Sequence, residues 1–198
     1  MQKEIAFFDF DGTITRRDTM LALAMFHAGK PKFFFKMMLL SPSLVALKLK
    51  LITAQAAKEK FLTSFFGGME LAQFNELCRK FDDNILPSLI RKDALAKIEE
   101  HKKNAVSIVV VSASAENWLM PWARKNGLEL ICTKLEVKDH TITGKLDGIN
   151  CNAKEKVSRI KAMFNLADFN TIYAYGDSAG DRDMLSIATH PGFGVFTL

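Results

Sequence analysis

The chain has 198 residues, 48% of them hydrophobic, and a formal net charge of +5. That length allows one domain of ordinary size plus an insertion, and the apolar fraction is enough for a real core. Three scattered cysteines, Cys78, Cys132 and Cys151, exclude a disulfide scaffold and suit reduced thiols in a cytoplasm.

The apolar run Ile5–Phe8 leads directly into Asp9-Phe10-Asp11-Gly12-Thr13. The run fits a buried parallel strand, and Gly12 fits the turn that ends it. Open α/β sheets bind ligands at the carboxyl ends of their strands, so Asp9 and Asp11 stand at the mouth of a site. Two acids this close repel, and a buried acid is costly unless it is paired or bound to a cation. Acids inside the apolar run also argue against a signal peptide.

From Thr19 to Leu86 helix formers dominate. The spacing predicts helices over Thr19–Ala28, Pro31–Leu40, Ser43–Leu51, from Ala54 (capped by Thr53) to Gly67, and from Glu70 to about Ile85. Nine of the sixteen Phe lie between Phe26 and Phe81, so this segment must bury apolar faces. Residues 16–88 read as a helical cap domain inserted into a core made of 1–15 and 89–198. The cap holds eleven Lys/Arg against six Asp/Glu, so the whole charge excess lies there. Lys30, Lys32, Lys36, Lys48, Lys50, Lys58 and Lys60 face one acid, Glu59, and interleave with Phe33-Phe34-Phe35 and Met37-Met38. Such a mixture suits a phospholipid headgroup or an anionic membrane surface. Packing of the apolar residues inside the cap, with solvated lysines, is the preferred reading. Met37–Leu47 is too short to span a bilayer, which takes about 20 residues, but an interfacial segment stays open. Nothing in the cap is a recognised nucleic-acid motif.

Beyond Pro87 strands and helices alternate. Leu89–Lys102 is expected as helix, Val106–Val111 as a buried strand ending at Ser112, and Glu116–Asn126 as helix. A short strand over Glu129–Cys132 and a hairpin turning at Asp139-His140 follow. Lys154–Phe164 reads as helix, Thr171–Tyr175 as a buried strand ending at Gly176-Asp177, Met184–Ala188 as helix and Gly194–Phe196 as a last strand. The alternation predicts a doubly wound parallel sheet.

Four motifs thus occur in order: DFDGT, a Ser-Ala-Ser turn at 112–114, a Lys-rich helix start (Lys154, Lys156) and GDSAGD at 176–181. Here the sequence resembles the haloacid dehalogenase-like hydrolases. It is closest to their subfamily IB, the phosphoserine-phosphatase-like branch, whose helical cap follows the first motif. YGDSAGDRDML and VSASAENWLMPWARKNG are similar to a subgroup that includes bacterial phosphatidylglycerophosphatase-type enzymes. The resemblance implies a Rossmann-like core and a Mg²⁺-dependent phosphatase acting on a phosphomonoester, a small phosphometabolite or a lipid-linked phosphate. A phosphate dianion resists an anionic nucleophile, and Mg²⁺ offsets that repulsion. Asp9 would form an aspartyl-phosphate. Asp11 would serve as general acid and then general base, and would give its backbone carbonyl to the metal. Thr13 would position Asp11, and Ser112 with nearby amides such as that of Ala113 would hold the phosphate. The catalytic lysine is Lys156 or Lys154, with Lys156 favoured. Asp177 would ligate the metal, and Asp181 would bind it through water or orient the ligands.

Asp18 either touches substrate or caps the first cap helix. Asp183 reads as an exposed helix-start acid, the four histidines as structural or surface residues, and Trp118 and Trp122 as packing. No counterpart is evident to the cap Glu and Arg that hold phosphoserine in that branch, which lowers phosphoserine as substrate. A receiver-like phosphoacceptor module, a lipid- or nucleic-acid-binding protein and a phosphotransferase of the same superfamily are the alternatives. The expected location is cytoplasmic, with peripheral membrane contact left open.

Overall fold

In the computed structural model, which describes residues 3–198, the five-residue strand β1 (Glu4–Phe8) sits at the centre of a six-stranded sheet. The first two residues of the 1–15 core segment lie outside the described residues. β1 pairs in parallel with β2 (Ser107–Ala115) on one side and β5 (Thr171–Gly176) on the other. β3 (Glu129–Lys138) extends the sheet beyond β2, and β6 (His190–Phe193) extends it beyond β5, both in parallel. β4 (Thr141–Asp147) closes the β3 edge in antiparallel, giving the order β4-β3-β2-β1-β5-β6. This is the doubly wound α/β sheet that the alternation predicts.

Side-chain alternation splits the core between the two faces. Ile5 and Phe7 pack with Val109, Val111 and Ile172 on one face. Ala6 and Phe8 join Val110, Trp118 and the helices inserted after β1 on the other. Those helices are α1 (Thr19–Ala28), α2 (Lys30–Lys48), α3 (Ala54–Phe66) and α4 (Leu71–Asn84), followed by a single turn, α5 (Leu86–Leu89). The chain leaves and re-enters the α/β half through a narrow neck. Thr15 bridges Ile90, Arg16 N–H donates to Leu89 O at 2.9 Å, and Arg91 N–H donates to Ile14 O at 2.8 Å. Helices α6 (Lys92–Lys103), α7 (Glu116–Lys125), α8 (Lys154–Met163) and α9 (Arg182–Ser186) complete the α/β half.

Several boundaries differ from expectation. Pro31–Leu40 and Ser43–Leu51 are one helix, α2, running through Pro42. Pro42 cannot donate to Met38 O, but the Ser41 hydroxyl donates to it at 2.7 Å, so the helix continues. β2 runs past Ser112 to Ala115, with its pairing to β3 interrupted between those residues. β3 is a single strand through Glu129–Lys138, although its burial does not alternate strictly. The last strand is His190–Phe193, earlier in the chain than Gly194–Phe196.

The β3–β4 hairpin turns at Asp139 and His140, with φ of 47° and 59°. Positive φ at both central residues is the type I′ pattern, which favours Asn-Gly. The double substitution D139N/H140G is therefore expected to raise unfolding free energy by about 1 kcal/mol, measured by urea denaturation. An unchanged or lower midpoint would contradict it.

Candidate active site

The carboxyl edge of the sheet gathers the motif residues. Asp9 directly follows β1, and its N–H still donates to Tyr175 O of β5 at 2.9 Å, so its backbone is fixed by the sheet. Its carboxylate Oδ1 accepts from Lys156 Nζ at 2.5 Å, and the same ammonium donates to Asp181 Oδ1 at 2.7 Å. Lys156 is only 1% exposed. It lies in the first turn of α8, which Ala153 enters at φ 50°, with its N–H bound to Gly180 O at 3.0 Å. Lys154, two residues earlier, is exposed to solvent. The helix therefore sends one of the two candidate lysines into the acids and the other outward.

One buried ammonium does not neutralise the acids around it. Ligand oxygens of Asp9, Asp177 and Asp181 all lie within 4.8 Å of one another. Burial pushes the Asp9 carboxyl up to about 7, against the pull of Lys156. Burial also raises Asp177 above the usual carboxylate range. Burial works against Asp181 ionisation too, but Lys156 and the Ser178 donors outweigh it and hold its carboxyl low. For Lys156, burial favours the neutral amine, yet Asp9 and Asp181 outweigh it and raise the ammonium. Three hard oxygen donors with residual negative charge form a donor set that fits a divalent cation such as Mg²⁺. Gly12 makes the close approach tolerable: at φ 87° it faces Asp177, and a Cβ there would run into the Asp177 carboxylate.

Asp181 is saturated. Besides Lys156, it accepts from Ser178 Oγ at 2.7 Å, Ser178 N at 3.0 Å and Asp177 N at 3.3 Å. These bonds make it the brace of the 177–181 loop.

Asp11 is held by residues other than the one expected. Thr13 donates its hydroxyl to Asp177 Oδ1 at 3.2 Å, not to Asp11. The clamp on Asp11 comes from Thr19, whose N–H and hydroxyl both reach Oδ1 at 2.6 Å, and from Ser114, whose hydroxyl reaches Oδ2 at 2.5 Å. Thr19 in turn accepts from Trp118 Nε1 at 3.1 Å, so that tryptophan packs and also orients. Ser112 is fully buried, and its Oγ accepts from Ser114 N at 3.0 Å. It is not a helix cap, because α7 begins only at Glu116. Asp18 caps α1, accepting from Leu21 N at 2.9 Å, and it also lines the cavity.

The cavity in front of these groups has a volume of about 570 Å³, bounded by Asp9, Asp11, Ser112 and Lys156 on the sheet side. Met37, Leu44, Leu47 and Phe61 of α2 and α3 form its apolar wall. One cation enters from that side. Lys58 of α3 donates to Ala113 O, and to Asn150 Oδ1 at 2.8 Å. Burial pulls its ammonium down to about 8, with Asp11 and Asp18 opposing. Sequence reasoning counted Lys58 among the solvated lysines and missed Thr19 and Asn150. The only local signal was the paired serines at 112 and 114.

A family model described as haloacid dehalogenase-like hydrolase matches residues 6–186. The chain belongs to that family. It is 37% identical over 191 residues to Protein CicA of Caulobacter vibrioides, covering 96% of this chain and 85% of the relative. It is 29% identical over 201 residues to a probable phosphatase of Mycobacterium tuberculosis, covering 93% of this chain and 66% of the relative. Its fold superposes on a phosphoserine phosphatase in apo form with a TM-score of 0.69 at 17% identity, covering 97% of this chain and 86% of the other. The chain is thus a hydrolase-family α/β protein with the phosphoserine-phosphatase-like fold, which removes the receiver-like alternative.

Removing the buried ammonium leaves Asp9 and Asp181 facing each other. Lys156→Met is expected to cost about 3 kcal/mol of stability in metal-free buffer, read by urea denaturation. Asp177→Asn removes a like charge instead, and its Tm in EDTA should rise by about 3 °C. A Lys156→Met protein as stable as the wild type would contradict the charge balance described.

Proposed function

We propose that the chain is a Mg²⁺-dependent phosphatase that hydrolyses a phosphomonoester through an aspartyl-phosphate on Asp9. The observation that carries this reading is the placement of Asp9 and Asp11 over one cavity, with Asp9 paired to buried Lys156 beside Asp177. Asp9, Asp177 and the backbone carbonyl of Asp11 would hold the cation, with Asp181 bracing the set. Bound there, Mg²⁺ supplies the positive charge that lets a carboxylate approach a phosphate dianion.

The protein's own residues divide the remaining work. Lys156 favours the ionised form of Asp9 against the effect of burial and aims its oxygen. An Asp9 carboxylate oxygen bonds to phosphorus as the bond to the alcohol oxygen breaks, and Asp11 gives that oxygen a proton. Asp11 then takes a proton from water, whose oxygen bonds to phosphorus as the Asp9–phosphorus bond breaks. Thr19 and Ser114 hold Asp11 in one orientation for both steps. The Ser112 hydroxyl and the Ala113 amide support binding of the phosphoryl oxygens. We assign residues 16–88 as the cap that sets specificity. Lys58 and the apolar wall of α2 fit a substrate joining the phosphate to an apolar or lipid-linked group better than a small zwitterionic one. The three buried thiols fit a reducing compartment such as the cytoplasm.

A panel of phosphomonoesters with Mg²⁺, including p-nitrophenyl phosphate and phospholipid phosphates, tests the activity. Asp9→Asn should lower kcat on the order of 10³-fold or more, and full retention would overturn the mechanism. Mg²⁺ at about one hundred times its Kd should raise wild-type stability by about 2.7 kcal/mol. The same addition should leave Asp177→Asn nearly unmoved. Ser114→Ala should lower kcat more than it changes KM, because it loosens Asp11 without touching the phosphate.

A further inference from the structure

Helix α2 is apolar on two sides, and only one is used. Phe33 is buried against Phe65, while Met37, Leu44 and Leu47 line the cavity. The other side holds Phe34, Phe35, Met38, Leu39 and Val45, at 61, 58, 62, 61 and 56% exposure. With about 3.6 residues per turn, these five side chains and Pro42 fall within one arc of about 140°. Lys32 borders that arc on one edge, and Lys30 and Lys48 border it on the other. All three lysines are exposed. Lys36 is not part of this border, since its ammonium is held by Ser64 O against the Phe65 ring. Leu49 and Leu51 continue the exposed apolar surface past the helix end, with Lys50 between them. No acid occurs from Thr19 to Lys58.

The charge pattern selects the occupant. A contiguous exposed apolar patch marks an interaction site. A protein partner would need a matching groove of its own. An anionic bilayer needs only an apolar stripe with cations at the headgroup level on both sides, which is the arrangement of an interfacial helix. The nineteen-residue α2 is about 28 Å long, and no described helix is long and apolar enough to cross a membrane. It would therefore lie in the interface plane.

We propose that the outward face of α2, with Leu49 and Leu51, docks this protein on an anionic lipid surface. Docking there puts the lipid against one side of α2 and the catalytic cavity against the other, with Leu44 lining the cavity while 45% exposed. The proposal rests on the surface of α2 and not on the phosphatase reading, because binding is measured without turnover.

Co-sedimentation of the full chain with vesicles of phosphatidylglycerol and phosphatidylcholine in equal parts tests it. Binding is expected to the mixed vesicles, to be weaker to phosphatidylcholine alone, and to fall as salt rises. The double variant Phe34→Ser, Phe35→Ser should weaken binding about tenfold or more, and Lys30→Glu with Lys48→Glu should do the same. These side chains are exposed, so both variants should keep the wild-type Tm. Should either fail to fold, Phe35→Trp in vesicles carrying brominated lipid supplies the second reading. Its fluorescence should be quenched, while the buried Trp118 and Trp122 are not. No binding to the mixed vesicles, unquenched Trp at position 35, or a concentration-dependent dimer abolished by the Ser variant would each overturn the proposal, the last by assigning the face to a second copy of the chain.

Discussion

A single buried ammonium between two buried carboxylates is the constraint on which the rest of the architecture depends. Lys156 can sit there only if α8 begins where it does, and α8 begins there because Ala153 is tied to Gly180 in the 177–181 loop. Asp181 completes the circuit by binding Lys156 with one oxygen and bracing its own loop with the other. The end of β1, the loop after β5 and the start of α8, all distant in sequence, are thereby locked to one another by electrostatics, not by shape alone. An apolar replacement of such a triad would be at least as stable in many proteins. Here the arrangement keeps a carboxylate poised in a site where burial would otherwise protonate it.

The sheet side and the cap side of the cavity differ in how they are built. The sheet side consists of residues in or just beyond strands β1 and β2, positioned by backbone pairing, together with Lys156 from the start of α8. The cap side consists of side chains reaching in from helices that pack by apolar contact, and its one cation, Lys58, arrives from α3. One wall of the cavity is thus fixed by the sheet, and the other is a helical layer joined to it through the neck at Ile14–Arg16 and Leu89–Arg91.

This difference also explains what could be read from the sequence. Asp9, Asp11, Ser112 and Asp177 are legible because each stands at the end of an apolar run, a local pattern. The doubly wound sheet follows from the alternation of strands and helices, whereas its strand order is set by tertiary pairing. Lys156 rather than Lys154 is a matter of helix phase: the two are neighbours in sequence but point differently. Thr19 and Lys58 reach the site only when the inserted helices pack on the α/β half, and nothing within a short window announces that. Thr13 illustrates the limit from the other direction, because adjacency suggested Asp11 while the fold of the turn delivers its hydroxyl to Asp177. In α2, a proline next to a serine gives no hint that the hydroxyl will occupy the carbonyl the proline leaves free.

Lys58 has a consequence of its own. Its two partners, Ala113 O and Asn150 Oδ1, are neutral oxygens on the α/β half, so it ties the helical layer to the sheet by bonds without charge on the acceptor. Both bonds already have an ionised donor, and an ionised acceptor would add direct charge–charge attraction to them. An anion in the cavity would compete with these two oxygens for the ammonium. Filling the site would then exchange one fastening between the two halves of the molecule and not simply add another. A guest anion would then stand between Lys58 and the oxygens that now hold it, while bonds such as Leu146 N–H to Glu59 Oε1 and Asn150 N–H to Gln55 Oε1, both at 3.2 Å, go on joining the two halves.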